Sequence, residues 1–167
     1  IATPLYGGAE VDYLRSIVGL TGAAERAGVA VSYAWLSNNA VIDRARNALA
    51  ATFLQSDATH MVFIDGDIGF EPEALIDLVA RMQRDDRLAV VGAPCPKRRI
   101  NWNLVASAAA KGLGQTNPAE LERFAGVFTL DALDPQASFR VDEPLELARV
   151  GTGLMVIRRD VIETLTA

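Results

Sequence analysis

The sequence predicts an α/β domain in which a mostly parallel sheet lies between two layers of helices. Short segments rich in apolar and β-branched residues alternate along the chain with amphipathic segments of helical period. Repeated strand, helix and strand units require right-handed crossovers, which place helices on both faces of such a sheet. Half of the 167 residues are hydrophobic, enough for one sizeable core. We therefore expect a single three-layer α/β/α domain over residues 1–167.

The first part of the chain predicts three strands and two helices. Their expected bounds are a strand at 1–6, a helix at 11–27, a strand at 29–36, a helix at 41–55 and a strand at 60–64. Gly28 suits the C-terminal cap of the first helix. The β-branched and aromatic residues of 29–36 favour the second strand.

The second part is less regular. It predicts a helix that begins at Pro72, a strand at 88–92, a short helix near 118–124, a strand at 148–157 broken by a Gly-Thr-Gly bend, and a closing helix. The rest of residues 93–147 has the composition of long loops, which usually cover a site in a compact domain. We expect a lid at 94–114 that closes over the site and excludes water.

Composition excludes several classes of function. The net charge is −5, which gives no general basis for binding nucleic acid. A single cysteine, Cys95, excludes an internal disulfide framework and a cysteine zinc site.

No apolar run approaches the ~20 residues of a membrane span, and no leader precedes the first strand, so we expect a soluble, cytoplasmic protein. Because the sequence stops inside an expected helix, we also expect the domain to be truncated at its C-terminus.

Two carboxylates one residue apart, Asp65 and Asp67, follow the apolar strand at 60–64. Strand alternation sends such side chains to the same side, and Gly66 between them would let a ligand approach the backbone. Ligands of open α/β sheets bind beyond the carboxyl ends of the strands. Paired carboxylates favour a hard divalent cation that in turn holds a phosphate or diphosphate. The alternative is a simple acidic turn, because Asp and Gly are common in turns.

Four segments, in this order, resemble the nucleotide-diphospho-sugar glycosyltransferases of the GT-A fold, particularly family 2-like bacterial members. Residues 2–6 resemble the first nucleotide-binding strand, 45–50 the Arg-Asn helix, and 63–70 the Asp-x-Asp segment. Residues 150–155, followed by two arginines, resemble the strand beneath the acceptor side of the site. The resemblance implies transfer of a sugar from a nucleotide-diphosphate donor to a carbohydrate, lipid or protein acceptor.

The resemblance also implies roles for individual residues. Asp67 would bind Mn²⁺ or Mg²⁺ on the donor diphosphate, and Asp65 would contact the ribose, or the metal through water. The other implied contacts with the nucleotide are Thr3, Pro4, Tyr6, Arg46 and Asn47. For Arg46 the alternative is a structural role, with its stem at the core edge and its charge paired with a surface carboxylate.

Lys97 and Arg98 follow a strand end and two prolines. They are candidates to bind donor phosphates or an acidic acceptor, although a solvated loop explains them equally well. His60, the only histidine, is expected to be structural.

The catalytic residue cannot be placed from the sequence. Inverting members of the family usually carry an acidic base beyond the Gly-Thr-Gly strand, but Asp160 and Glu163 fall on the closing helix. The base therefore lies past residue 167, or the enzyme is retaining. Two alternatives stay open: a sugar-nucleotide nucleotidyltransferase, and a nucleotide-sugar-binding module without catalysis. The first would normally have a basic glycine-rich loop after strand one, where this chain has acidic residues.

Overall fold

The computed structural model describes residues 1–134 and 144–166, which fall into two compact units. The first unit comprises Ile1–Ala93 with Thr152–Ala167, and the second comprises Pro94–Gly151. The expected single domain over residues 1–167 remains a prediction. None of the helices in the described ranges has the length and the apolar run needed to cross a bilayer.

In chain order, the helices and strands belong to the first unit, then to the second unit, and finally to the first unit again. The first unit begins with β1 (Ala2–Leu5), α1 (Val11–Ala27), β2 (Ala34–Ser37), α2 (Ile42–Leu54), β3 (His60–Ile64), α3 (Pro72–Arg84) and β4 (Val90–Gly92). The second unit contains β5 (Pro96–Ile100), α4 (Trp102–Ala110), a 3-10 helix (Pro118–Phe124), β6 (Gly126–Phe128), β7 (Leu130–Ala132) and β8 (Leu147–Val150). The chain then returns to the first unit with β9 (Leu154–Arg158) and α5 (Arg159–Thr166).

The first unit is built on a mixed five-stranded sheet in the order β2-β1-β3-β9-β4. Strand β1 runs parallel to β2 and β3, whereas β9 runs antiparallel to both of its neighbours, β3 and β4. The expected strand at 148–157 is in fact two strands. β8 pairs with β7 in the second unit, and the bend before β9 lets β9 enter the larger sheet.

Helices cover the sheet because alternate strand residues point to opposite faces. On one face, a core cluster includes residues of β1, β3, α2 and α5: Ala2, Leu49, Phe53, Met61, Phe63 and Ile162. On the other, Thr3 hydrogen-bonds to Tyr13 of α1. Helix α1 packs on α3, and a Cβ built at Gly19 would lie 2.9 Å from Pro72 Cγ, so glycine allows this close contact.

Two expectations about secondary structure are wrong. The second strand begins at Ala34 rather than at residue 29, since its partner β1 begins at Ala2 and these two residues are paired in register. Residues 94–114 are not a loop, because they contain β5 and α4, so the loop length that suggested a lid is absent. Part of the irregular region, residues 135–143, lies outside the described residues.

Within the second unit, two antiparallel pairs form, β5 with β6 and β7 with β8. The Asn101 side chain accepts a hydrogen bond from Leu104 N at 3.1 Å and so caps α4. Helix α4 contacts the 3-10 helix, which the sequence predicted near the same residues.

Candidate functional site

Three parallel strands of the first unit end at the same edge of its sheet. Strands β1, β2 and β3 run in one direction, so the segments that follow them converge there. These segments are Tyr6-Gly7-Gly8, Asn38-Asn39 and Asp65-Gly66-Asp67. This is the edge where ligands of open α/β sheets bind, and it carries the acidic pair.

An ion pair joins α2 to the acidic segment. Arg46 lies one turn into α2, and its Nη2 donates to Asp65 Oδ1 at 2.9 Å. The pair is largely shielded, since the Arg46 and Asp65 side chains are only 21% and 34% exposed. Arg46 Nε is buried and has no hydrogen-bond partner among the described residues. Arg46 therefore holds Asp65 Oδ1 in place, while its Nε–H makes no hydrogen bond to a described residue.

The pKa of Asp65 reflects competing influences. Partial burial raises it above its usual value, the neighbouring Arg46 opposes that rise, and the charge of Asp67 adds to it. Burial dominates, so the ionised form of Asp65 is held at an energetic cost. A cation bound near both carboxylates would offset that cost.

Backbone contacts fix the acidic segment. Asp65 N donates to Gly153 O at 2.8 Å, and Ile68 N donates to Asp65 O at 3.0 Å, which closes a turn. Glu10 N donates to Gly66 O at 2.8 Å, which joins the turn to the segment before α1. Three backbone hydrogen bonds therefore hold the segment that carries the two carboxylates.

Gly66 allows a close contact within the protein. A Cβ built at this position would lie 2.5 Å from Leu5 Cδ2 and 3.5 Å from Gly8 O. The space on this side of Gly66 is thus filled by the protein itself. Gly66 is half-buried and Asp67 is exposed, and the expectation that this glycine admits a ligand to the backbone stays a prediction.

The two carboxylates supply only part of a metal coordination shell. Among the residues that the structure describes, no group of three or more His, Cys, Asp or Glu side chains is arranged to hold a metal. A Mg²⁺-like ion is usually bound by one or two carboxylates together with phosphate oxygens. Asp67 and the second oxygen of Asp65 match the carboxylate part of that donor set.

The other residues of the first unit that were expected to contact the nucleotide differ in their exposure to solvent. Thr3 is fully buried, and its hydroxyl is 2.8 Å from Tyr13 OH, while Pro4 is buried beside it. Neither side chain reaches solvent, so the geometry gives them a role in packing. Tyr6, which is 79% exposed, and Asn47, which is also exposed, are accessible.

Lys97 and Arg98 belong to the second unit. They lie on β5, where every residue is exposed, instead of on a loop. The candidate site at the sheet edge consists of residues of the first unit.

Asn38 is a further member of this edge that the sequence pattern did not single out. Asn38 has a left-handed backbone with φ of 60°, directly after β2. The neighbouring Asn39 accepts a hydrogen bond from Val41 N at 3.2 Å. The Asn-Asn pair is visible in the sequence between the second strand and the second helix.

The carboxylates that follow β9 are remote from the acidic pair. Strand β9 is antiparallel to β3, so Arg158 is paired with His60 at the opposite edge of the sheet. There Asp160 accepts two hydrogen bonds from Arg158, each of 2.7 Å. Asp160 is exposed at this edge.

Comparison with known proteins gives no match: no family model, no curated protein and no solved structure resembles the chain significantly.

Proposed function

We propose that this protein is a metal-dependent glycosyltransferase that uses a nucleotide-diphosphate sugar as its donor. The observation that carries the proposal is the exposed Asp67 beside Asp65, which is paired with Arg46 at the edge where three parallel strands end. The contacts of α2 and α5 with one sheet face and of α1 with the other support a three-layer arrangement of the GT-A type.

Each residue of the site has a distinct proposed task. Asp67 is the metal ligand, and Asp65 shares the ion or contacts the ribose through its second oxygen. Arg46 orients Asp65 through their ion pair. Tyr6 and Asn47 are exposed and are candidates to contact the base and the phosphates.

A bound Mn²⁺ or Mg²⁺ would stabilise the negative charge of the departing nucleoside diphosphate. The chain's own contribution is to hold the two carboxylates in place. The backbone bonds of Asp65 and Ile68 and the ion pair with Arg46 do this before any ligand arrives. Such preorganisation reduces the reorganisation needed during the reaction.

The structure offers a reason to keep a non-catalytic donor-binding module as the second candidate. The described carboxylates that follow Gly153 are Asp160 and Glu163, and they belong to α5 at the opposite edge. Neither is available as a base. We therefore assign no catalytic residue, and the stereochemistry of transfer remains open.

Release of nucleoside diphosphate from sugar nucleotides tests this proposal. Uridine, guanosine and cytidine diphosphate sugars would be incubated with Mn²⁺ and a panel of carbohydrate and lipid acceptors. We expect one donor to be consumed in an acceptor-dependent way, with loss of activity in Asp67→Asn. Asp77→Asn is the matched control, because it removes an exposed carboxylate from α3. Metal-dependent binding without any transfer would favour the binding module, and equal activity in Asp67→Asn would overturn the assignment of the site.

A further inference from the structure

The second unit carries an exposed helix without charged residues. Helix α4 (Trp102–Ala110) contains no Asp, Glu, Lys or Arg, and most of its residues are apolar. A helix of this composition is usually buried. In α4, however, Ala108 is the buried residue, while Trp102 and Leu104 are 68% and 44% exposed. The helix therefore presents an apolar surface to solvent.

This apolar surface extends beyond both ends of the helix. Ile100, at the end of β5, and Leu113, which follows α4, are both exposed. The Asn101 side chain caps the helix, so Trp102 is its first residue. Side chains of a helix lean toward its N-terminus, which directs Trp102 toward the end of β5. We therefore place Trp102 and Ile100 on one surface.

Basic side chains flank the helix on both sides. Lys97, Arg98 and Arg99 are consecutive on β5, where every residue is exposed. Lys111 follows the last residue of α4 and is exposed as well. Residues 94–119 contain these four basic residues and no acidic one, although the whole chain has a net charge of −5. The segment around α4 therefore has the opposite sign of charge from the chain as a whole.

Two acidic residues lie close to this segment. Glu120 and Glu122 belong to the 3-10 helix, which contacts α4. Glu120 Oε2 accepts a hydrogen bond from Gly114 N at 3.3 Å, so this carboxylate is directed at the backbone. Residues 94–125 contain five basic and two acidic residues, which leaves this region with a net charge of +3.

This combination of residues fits the interface of an anionic lipid bilayer. Tryptophan is favoured at the boundary between headgroups and acyl chains, because its ring is apolar and its N–H is polar. Basic residues beside such a helix are attracted to the negative headgroups. Lysine and arginine can also bury their aliphatic stems while the charge stays at the headgroups.

A soluble partner explains the same surface less well. An apolar groove of another protein would account for Trp102 and Leu104, but it does not require basic residues at both ends of the helix. A soluble polyanion would account for the basic residues, but not for the exposed and uncharged helix between them. A lipid surface accounts for both, and the two signals reinforce each other because either alone gives only marginal membrane binding.

We propose that the second unit binds to the surface of an anionic lipid bilayer. The apolar side chains of α4, Trp102 above all, enter the boundary between headgroups and acyl chains. The basic residues of β5 and Lys111 contact the lipid phosphates. The proposal concerns the second unit and does not rest on the proposed transferase activity.

Vesicle binding by single-tryptophan variants tests the proposal. The chain contains two tryptophans, so Trp35→Phe leaves Trp102 as the reporter and Trp102→Phe leaves Trp35. The probe is a vesicle of phosphatidylglycerol and phosphatidylcholine in equal parts, with pure phosphatidylcholine as the control. We expect lipids brominated on their acyl chains to quench Trp102 and not Trp35, and only in the anionic vesicles. Quenching of Trp35 instead of Trp102 would overturn the proposal.

A charge variant tests the contribution of β5. The variant combines substitutions of its three basic residues: Lys97→Gln, Arg98→Gln and Arg99→Gln. We expect vesicle partitioning to fall roughly 100-fold, since each basic residue near an anionic surface contributes about fivefold. The matched control removes the same charge from exposed positions of the first unit: Arg44→Gln, Arg81→Gln and Arg84→Gln. Its effect should be below about twofold, and equal effects would show that only net charge matters and would overturn the proposal.

An apolar variant tests the contribution of α4. Trp102→Ser should lower vesicle partitioning roughly tenfold. Val18→Ser, which changes an exposed apolar side chain of α1, is the control and should have an effect below about twofold. Circular dichroism checks that each variant is folded. If the wild type does not bind anionic vesicles at low salt, or binds them without quenching of Trp102, the proposal is wrong.

Discussion

Arg46 Nη2 donates a hydrogen bond of 2.9 Å to Asp65 Oδ1, and this bond joins the second turn of α2 to the end of β3. Both residues were expected to contact a nucleotide, and the alternative for Arg46 was an ion pair with a surface carboxylate. The carboxylate that it pairs with is Asp65 itself. The pair leaves Asp67 exposed and Arg46 Nε without a partner among the described residues. The pair therefore orients the acidic segment.

Replacing Arg46 should weaken nucleotide binding. Arg46→Gln removes the charge that fixes Asp65, so we expect the affinity for nucleoside diphosphate to fall roughly 10- to 100-fold. Arg44→Gln is the matched control, since Arg44 is exposed on the same helix, and its effect should be below about twofold. Calorimetric titration measures both. Equal effects would show that only net charge matters.

Asp65 should make stability depend on pH in a specific direction. Its pKa is raised above 3.8 in the folded protein, mainly by burial, so the folded state holds the proton more strongly than the unfolded state. Asp65 therefore makes its full contribution to folding stability below pH 3.8, and this contribution is lost as the pH rises through the folded-state pKa. Asp65→Asn should thus have a Tm at pH 7 equal to the wild type or up to about 3 °C higher.

Comparing Asp65→Asn with the wild type distinguishes a carboxylate that is needed for ligand binding from one that is needed for the stability of the fold. The same Asp65→Asn variant should lose affinity for the metal and nucleotide while keeping its stability. Thermal unfolding between pH 3 and pH 8 would check the first part, and the difference between variant and wild type should grow with pH. A large fall in Tm at pH 7 would instead show that the ion pair mainly supports the fold.

Tyr13 should be a structural residue. Its hydroxyl is 2.8 Å from Thr3 Oγ1 and accepts a bond of 2.9 Å from Trp35 Nε1. Tyr13→Phe leaves the fully buried Thr3 hydroxyl without this partner, at a cost of roughly 1–3 kcal/mol. Tyr33→Phe is the control, because Tyr33 bonds to Thr21 in an exposed position and should cost less than about 0.5 kcal/mol. Urea unfolding measures both.

His60 should decrease stability in mild acid. Burial, and secondarily the charge of Arg158, lower its pKa below 6.5 in the folded protein. The unfolded state therefore takes up a proton first, and stability falls as the pH drops below about 6.5 toward the folded-state pKa. His60→Gln should remove this dependence. Chemical denaturation at pH 7.5 and pH 5.5 would measure the free energy of unfolding of the wild type and of His60→Gln. An equal loss of stability in the two proteins between these pH values would contradict the prediction.

The regular part of the first unit was largely predictable from the sequence. The helix at Val11–Ala27 was predicted with its bounds, because its period is clear and Gly28 adopts the left-handed cap, with φ of 66°. The strand at His60–Ile64 was likewise evident, since an uninterrupted apolar run precedes the Asp-Gly-Asp segment.

Tertiary pairing explains the errors. The composition of residues 29–33 favours a strand, but a strand needs a partner along its length, and β1 begins only at Ala2. The antiparallel entry of β9 between β3 and β4 also leaves no local signal. Composition likewise gave no warning that residues 102–110, which read as loop because of the surrounding glycines and prolines, form α4.

The candidate site was predicted in its chemistry but not in its contacts. Local sequence placed Asp65 and Asp67 at a strand end, and the structure agrees. It did not reveal that Gly66 packs on Leu5, or that Thr3 is fully buried against Tyr13. Both depend on residues that are distant along the chain, which a local pattern does not encode.

The most direct test of the account is metal-dependent binding at Asp67. Uridine, guanosine and cytidine diphosphates would be titrated calorimetrically into the protein, with Mn²⁺ and then with a chelator. Asp67→Ala and the exposed control Asp77→Ala would be measured in the same way. The account predicts that one nucleotide binds only with the metal and that Asp67→Ala alone abolishes binding. Binding that is unaffected by the chelator or by Asp67→Ala would contradict it.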